Sequence, residues 1–155
     1  MSAQPSAEDL QQWHRFFGVE CNNAAWQMTL DAASTRDNKA MLNAAHASVY
    51  HWLHVGTELN KMRGYALLAH VHAFCGHGAT ALDYINEVYA YFTQNETESW
   101  EHAFTHMIRA QAAHAAGDRD LHIRAYATAK DIIDGMPEGE DKEIVMMTWV
   151  NIPAP

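Results

Sequence analysis

The number and spacing of the histidines in this sequence are the first indication of a site that binds a metal ion or another ligand. The chain has 11 histidines among 155 residues, and residues four apart on a helix share one face. His102 and His106 have this spacing, which lets two imidazoles bind one metal ion. They form a candidate metal site, but one helix turn supplies neither a third ligand nor the groups that orient the ligands. The alternative is that both histidines are solvated or hydrogen-bonded locally.

A second candidate site for a ligand combines His46, Tyr50, His51, Asn60 and Arg63. These residues lie on two predicted helices joined by a tight turn, so that they can converge within one hairpin. The guanidinium of Arg63 can hold a carboxylate or a phosphate through two parallel hydrogen bonds. The alternative is a buried polar network that fixes the geometry of the hairpin, since unpaired buried polar groups are costly.

Motifs for other chemistry are missing from the sequence. It contains no glycine-rich phosphate loop, no Gly-x-Ser-x-Gly elbow, no Cys-x-x-Cys pair and no His-Glu-x-x-His. No cofactor is therefore predicted, and an enzyme is less favoured than a binding protein.

Helices are predicted to position these residues along the whole chain. Apolar residues recur at helical spacing from end to end, and no proline lies between Ser6 and Met136. Ser6 is expected to cap a first helix that stops at Gly18, with a second helix following from Cys21. Short loops favour antiparallel neighbours. The prediction is a single all-α domain over residues 1–155, in which about eight helices form stacked antiparallel hairpins.

An internal repeat supports stacked hairpins. Gly76 and Gly117 stand 41 residues apart, each between an alanine-rich segment and an amphipathic one. Around the first of them the chain resembles the tetratricopeptide pattern, in which small residues let two helix backbones approach. The positions that carry the resemblance are Tyr65, Leu68, Ala69, Gly76, Ala81, Ile85 and Val88. This resemblance implies a short tetratricopeptide-like superhelix, with longer helices than the usual period of about 34 residues requires.

A more specific resemblance lies in the middle of the chain. The run Ala45-His46-Ala47-Ser48 is followed by His51-Trp52, Val55-Gly56-Thr57, Asn60 and Arg63-Gly64. This order resembles a motif from a group of bacterial helical proteins related to tetratricopeptide proteins. The likeness covers roughly residues 45–153 and implies the helical fold without implying an activity. An arginine is expected beside Tyr50, where this chain has Val49, so a function that depends on that arginine is in doubt here.

Charge and composition limit the partners. The formal net charge is −9, which repels phosphate backbones, so that nucleic acid is not expected as a partner. No apolar stretch approaches the roughly 18 residues of a membrane span. The isolated Cys21 and Cys75 are typical of reduced thiols. We expect a soluble, cytoplasmic protein that acts away from membranes.

Two hypotheses about function stay open. The first is a non-catalytic helical-repeat module that binds a protein, a peptide or a second copy of itself. Tyr84, Tyr89, Tyr91 and Phe92 are candidates for its exposed interface. The second is a small-molecule or metal-binding protein, including an enzyme, built on the His/Asn/Arg cluster. An open cavity lined by His51 and Arg63 favours the second hypothesis, and a closed polar network there favours the first.

Overall fold

The computed structural model describes residues 4–155. Within this range the backbone forms seven α-helices and no strand, so the all-α prediction is confirmed, with seven helices instead of about eight. The helices are α1 (Ala7–Thr29), α2 (Asn38–Val55), α3 (Glu58–Phe74), α4 (Gly78–Gln94), α5 (Ser99–Ala116), α6 (Arg119–Gly135) and α7 (Glu140–Trp149).

Local signals account for several of the helix ends. The hydroxyls of Ser6 and Thr57 each accept a hydrogen bond from the third helical N–H in reciprocal capping boxes that begin α1 and α3. Asp118 caps α6 through its carboxylate. Gly76 and Gly117 both have a φ of +76°, the left-handed conformation that ends a helix without a steric penalty. The predicted turns at these two glycines are therefore present.

The prediction that a helix stops at Gly18 is wrong, because α1 continues through this residue to Thr29. Gly18 is buried under the indole of Trp52, and a β-carbon there would lie 2.9 Å from Trp52 Cε2. Ser48 Oγ donates to the carbonyl oxygen of Gly18 at 2.7 Å. The glycine permits a close contact between α1 and α2 instead of ending a helix, so two predicted helices are one.

The helices pack in an order that places the odd-numbered ones side by side. Each helix from α1 to α5 packs on the next along the chain, α3 also contacts α1 and α5, and α7 packs on α5. The helices α1, α3, α5 and α7 therefore follow one another along one side, while α2 and α4 each bridge two of them on the other. A tetratricopeptide-like superhelix stays a prediction.

The core is divided among successive groups of helices. Three apolar clusters connect α1–α2–α3, α3–α4–α5 and α5–α6–α7, and they include Met41 and Leu67, Ile85 and Ile108, and Met107 and Val145, respectively. A core of this kind, in which each unit contacts mainly its neighbours, is typical of repeat proteins. Within residues 4–155, no helix has the combined length and apolar character that crossing a membrane requires.

The 41-residue repeat is visible in the helix starts. Helices α3 and α5 begin 41 residues apart, at Glu58 and Ser99, and so do α4 and α6. His70 and Gln111 occupy equivalent positions in the two units, and their buried side chains hydrogen-bond each other. Burial lowers the pKa of His70 to about 4. The two units are thus joined by a buried hydrogen bond, and it is the burial of the ring, against the opposite effect of the bond to Gln111, that keeps this imidazole neutral.

Substitution of Gly18 tests the close contact between α1 and α2. In Gly18→Ala the new methyl group collides with the Trp52 ring, so overpacking of about 1–3 kcal/mol exceeds the gain in helix propensity of about 1 kcal/mol. We expect a net loss of unfolding free energy in urea and a changed tryptophan emission spectrum. Gly135→Ala is the control, because its β-carbon meets nothing within 4 Å. A variant Gly18→Ala as stable as Gly135→Ala would contradict the packing described here.

Acid should weaken the fold through His70. The pKa is about 4 in the folded state and about 6.5 in an unfolded chain. The unfolded state therefore binds more protons below about pH 6.5, and the stability contributed by the neutral imidazole is lost as pH falls toward 4. Between pH 7.5 and 5.0 this loss is about 2 kcal/mol.

Urea unfolding at these two pH values measures the effect. The variant His70→Gln should lose less stability on acidification than the wild type, whereas His114→Gln, at an exposed position, should behave as the wild type does. Equal acid sensitivity in all three proteins would show that His70 does not titrate as described.

Candidate functional site

A concave groove runs along the odd-numbered helices. We call it the central groove; its volume is about 780 Å³, and α1, α3, α5 and α7 supply most of its lining. Because α3 and α5 lie in the middle of this row, they form the floor, and α1 and α7 form the two walls. The aromatic lining residues are Trp26, Trp52, Phe92, Trp100 and Phe104.

The walls of the groove expose apolar side chains to one another. Val19 and Leu30 of α1 are 42% and 37% exposed, and Ile144 and Met147 of α7 are 49% and 54% exposed. Apolar side chains left in water are common singly, but a facing set within one concavity marks a binding surface. The groove therefore offers hydrophobic area that the fold itself leaves uncovered.

An ion pair lies at the centre of the floor. Arg63 Nε of α3 donates to Glu101 Oε1 of α5 at 2.6 Å, and the guanidinium also lies over the Trp100 ring at 5.2 Å from its centroid. The side chain of Glu101 is only 7% exposed and that of Arg63 is 44% exposed. A carboxylate buried to this extent needs a charged partner, so Arg63 is required for the burial of Glu101.

Asn60 also lines the groove, beside its role at a helix start. Its Oδ1 accepts from the backbone N–H and the hydroxyl of Thr57, which completes the capping box of α3. The carboxamide nitrogen takes no part in that cap. Asn60 and Arg63 are thus the two residues of the predicted ligand cluster that the structure brings to the groove.

His51 and Tyr50 lie on a different surface, beside the N-terminal half of α1. His51 Nδ1 is 2.8 Å from His14 Nδ1, and the His14 ring stacks on His54 with a centroid distance of 4.2 Å. Tyr50 packs on His54 at 4.7 Å. These residues contact α1 and not Arg63, so the predicted cluster does not converge as one site.

His46 belongs to a third location. Its Nε2 is 2.9 Å from Nε2 of His72, and Nδ1 of His72 is 3.0 Å from Nδ1 of His77. The three imidazoles form a chain that connects α2, α3 and the start of α4. Burial, followed by the charges of His46 and His77, lowers the pKa of His72 to about 4.

His102 and His106, the predicted metal pair, lie on α5. His106 packs edge-on against Tyr89 of α4, and burial, followed by the charges of Arg109 and His102, lowers the pKa of His106 to about 4. Its Nδ1 is buried without a hydrogen-bond partner. Among residues 4–155, no group of three histidine, cysteine or acidic side chains is placed to hold a metal ion. Metal binding by this pair stays a prediction, without a third protein ligand in the described range.

Sequence reasoning missed Trp26, Trp100, Glu101 and Phe104 as groove residues. None of these four residues is a candidate site residue from the sequence alone. The 41-residue repeat was a usable signal, because Glu101 is the equivalent of Asn60 and Phe104 is the equivalent of Arg63. Conversely, the aromatic residues of α4 expected at an interface are partly buried, and Phe92 is 3% exposed.

Removing Arg63 tests the ion pair in the groove. In Arg63→Met the buried carboxylate of Glu101 loses its partner, which destabilises the protein by about 1–3 kcal/mol, less than a fully buried pair because Arg63 is partly exposed. Urea unfolding should show this loss and its partial recovery in Arg63→Met/Glu101→Gln. Lys130→Met, which breaks an exposed pair with Asp134, should leave the stability unchanged. A harmless Arg63→Met would show that Glu101 is not buried as described.

No protein-family model, no curated protein and no solved structure matches the chain.

Proposed function

We propose that this protein binds a small, mostly apolar and uncharged organic molecule in the central groove. The observation that carries the proposal is the set of three indoles, from Trp26, Trp52 and Trp100, around the Arg63–Glu101 pair. Indole and phenyl faces contribute large contact areas at low entropic cost. The cavity volume of about 780 Å³ falls in the range of about 300–1,000 Å³ that small ligands occupy.

The charges in the groove favour an uncharged ligand. Arg63 is the cationic lining residue, and Glu101 already neutralises it at 2.6 Å. A second carboxylate, that of Asp141, lines the groove from the first turn of α7. An anion at Arg63 would therefore approach Glu101 as well, and like charges at short distance repel strongly in an apolar site.

Polar groups in the groove can orient such a ligand. The hydrogen bond to Glu101 uses Nε of Arg63, which leaves the terminal guanidinium nitrogens as donors on the exposed side. The carboxamides of Asn22, Asn23 and Gln27 on α1 offer both donors and acceptors. A few polar groups in a largely aromatic concavity are typical of sites that select a ligand by hydrogen bonding. The proposal assigns binding to the groove and assigns no reaction.

A second candidate function is the protein interaction module expected from the sequence. The supporting observation is a set of half-exposed aromatic side chains on the N-terminal half of α1, where Trp13 is 50% and Phe16 is 58% exposed. Large aromatic side chains left in water favour an interface with a protein partner, including a second copy. The free thiols of Cys21 and Cys75 support the proposed cytoplasmic location.

Binding of an uncharged fluorescent dye tests the groove. Nile red should bind saturably with a rise in emission, because the groove removes it from water. Ile144→Trp places an indole in the groove and should weaken binding by about tenfold or more. Ile123→Trp is the matched control, since Ile123 is 43% exposed on α6 and does not line the groove.

Other outcomes contradict separate parts of the proposal. Equal binding by both variants would place the dye elsewhere and overturn the groove as the site. An anionic dye such as anilinonaphthalene sulfonate should bind more weakly than Nile red. Tighter binding of the anion, lost in Arg63→Met, would show that the groove selects acids. Native mass spectrometry of untagged protein purified without chelators then identifies a ligand that remains bound.

A further inference from the structure

The N-terminal half of the first hairpin carries a surface that combines exposed aromatic side chains with three histidines. We call it the aromatic face. It consists of Leu10, Trp13, Phe16 and Phe17 from α1 and Tyr50 from α2, around His14, His51 and His54. Ring contacts join its members: Phe16 to Phe17 at 5.2 Å, Phe17 to His51 at 5.6 Å, and His14 to His54 at 4.2 Å. The five apolar members are between 43% and 58% exposed.

The aromatic face lies at one end of the helical stack. Helix α1 packs on α2 and α3, and its groove side, with Asn22 and Trp26, points toward the rest of the molecule. Leu10, Trp13 and Phe17 lie on another side of the same helix by their spacing. In a stack of repeats, a terminal surface needs polar residues to remain in water. This surface is apolar instead and leaves hydrophobic area in water.

We infer that the aromatic face is the contact between two copies of this chain, and that protonation of His14, His51 and His54 separates them. This inference rests on the second candidate function, self-association, and adds its regulation.

The area supports a second copy as the occupant. An aromatic side chain buries about 150–250 Å² when fully covered, so four half-exposed ones and a leucine supply about 500 Å² per copy. Two copies thus cover about 1,000 Å² before the histidines and the surrounding residues are counted, which approaches the lower end of stable interfaces at about 1,200 Å². A symmetric dimer brings the same surface from both copies together.

The charge distribution also supports self-association through this surface. The chain carries a formal charge of −9, so two copies repel each other in general. The aromatic face itself contains no acidic and no basic residue other than its histidines. At neutral pH two acidic copies therefore meet through this face without repulsion between its own side chains.

The histidines make this contact sensitive to acid. His51 receives electrostatic effects from His14 on α1 and from His54 on its own helix. The charged groups nearest to the face are Asp9, which is hydrogen-bonded to Ser6 at the helix start, and Glu8, Arg15 and Glu20, which line a second concavity together with Phe16. Protonation would place like charges within hydrogen-bond and stacking distance, and a twofold axis doubles their number.

The direction of the pH effect follows from burial. Burial, followed by the charges of His14 and His54, already lowers the pKa of His51 in the single chain. Covering the face with a second copy removes further water, so the dimer binds fewer protons than two separate chains. Linkage then requires association to weaken as pH falls below the ordinary histidine pKa of about 6.5, toward the lowered pKa of His51. The overall charge becomes less negative over the same range and would strengthen association, so a weakening identifies the face as its cause.

Sedimentation velocity of the full chain tests both parts of the inference. At about pH 7.5 we expect a dimer, and at about pH 5.5 a dissociation constant higher by about tenfold or more. Trp13→Glu should be a monomer at both pH values, with an unchanged circular dichroism spectrum because Trp13 is exposed. Ile123→Glu, an exposed apolar position on α6, should remain dimeric. The variant His14→Gln/His51→Gln/His54→Gln should remain dimeric at about pH 5.5.

Each contrary result has a definite meaning. A wild-type monomer at about pH 7.5, or a dimer that survives Trp13→Glu, overturns the aromatic face as the contact. A dimer equally tight at both pH values overturns the histidine control and leaves self-association standing. Dissociation by a chelator at neutral pH overturns the apolar contact in favour of histidines from two copies that share a metal ion. None of these results depends on the dye experiment in the groove.

Discussion

The contact between the Trp52 indole and the backbone of α1 at Gly18 determines which surfaces this protein presents. The indole can lie against the helix only because residue 18 lacks a β-carbon, and the Ser48 hydroxyl fixes the rotation of α1 by donating to the Gly18 carbonyl. With that rotation set, Trp26 of α1 enters the groove beside Phe104. The same rotation leaves Trp13 and other aromatic side chains of the first half of α1 in water. The groove and the aromatic face are thus two consequences of one helix contact.

The polar centre of the groove depends on the difference between two repeat units. At equivalent positions, one unit has Asn60, which closes a capping box, and the next has Glu101, which reaches back to Arg63. Phe104 replaces the arginine in the second unit and adds to the aromatic lining. A repeat with identical side chains would place two like charges side by side, which is costly in an apolar site. Because the two units differ at these positions, the groove contains an ion pair without net charge and an additional aromatic side chain.

Periodicity and capping residues were sufficient to predict the fold class and most turns. The pattern of apolar residues, the cap at Ser6 and the glycines after α3 and α5 are local features, and local chemistry decides them. Gly18 was misassigned because its role depends on a tryptophan 34 residues later in the chain. A glycine under an indole and a glycine at a helix end have the same local sequence signal.

The candidate site was predicted only in part, for a related reason. Arg63 and Asn60 are in the groove, whereas His51 contacts α1 and His46 contacts His72 at the opposite end of α3. His46 and His51 are five residues apart on α2, which places them about 140° apart around the helix axis, and hydrophobic periodicity does not resolve such angles. Glu101 is the harder case, since its role is set by a partner on another helix. A single sequence contains no signal for a long-range ion pair, except that here the 41-residue repeat relates Glu101 to Asn60.

Histidine contacts recur at the boundaries between helices. His14 meets His51 between α1 and α2, His46 meets His72 between α2 and α3, and His114 packs on the buried His122 between α5 and α6. A hydrogen bond between two imidazoles requires at least one neutral ring, so each of the first two contacts weakens when both partners are protonated. Protonation therefore weakens contacts between neighbouring helices and leaves the hydrogen bonds within each helix unchanged.

The position of each histidine sets the consequence of its protonation. An imidazole on the aromatic face is reached by water without any opening of the core, so its protonation disturbs only the surface that it helps to form. His70 is different, because its ring is buried against Trp26 and Gln111, and a proton there must be accommodated by opening the contact between two repeat units. The free energy needed to charge a group rises with its burial. Mild acid should therefore change the contacts of the aromatic face at a higher pH than it changes the fold.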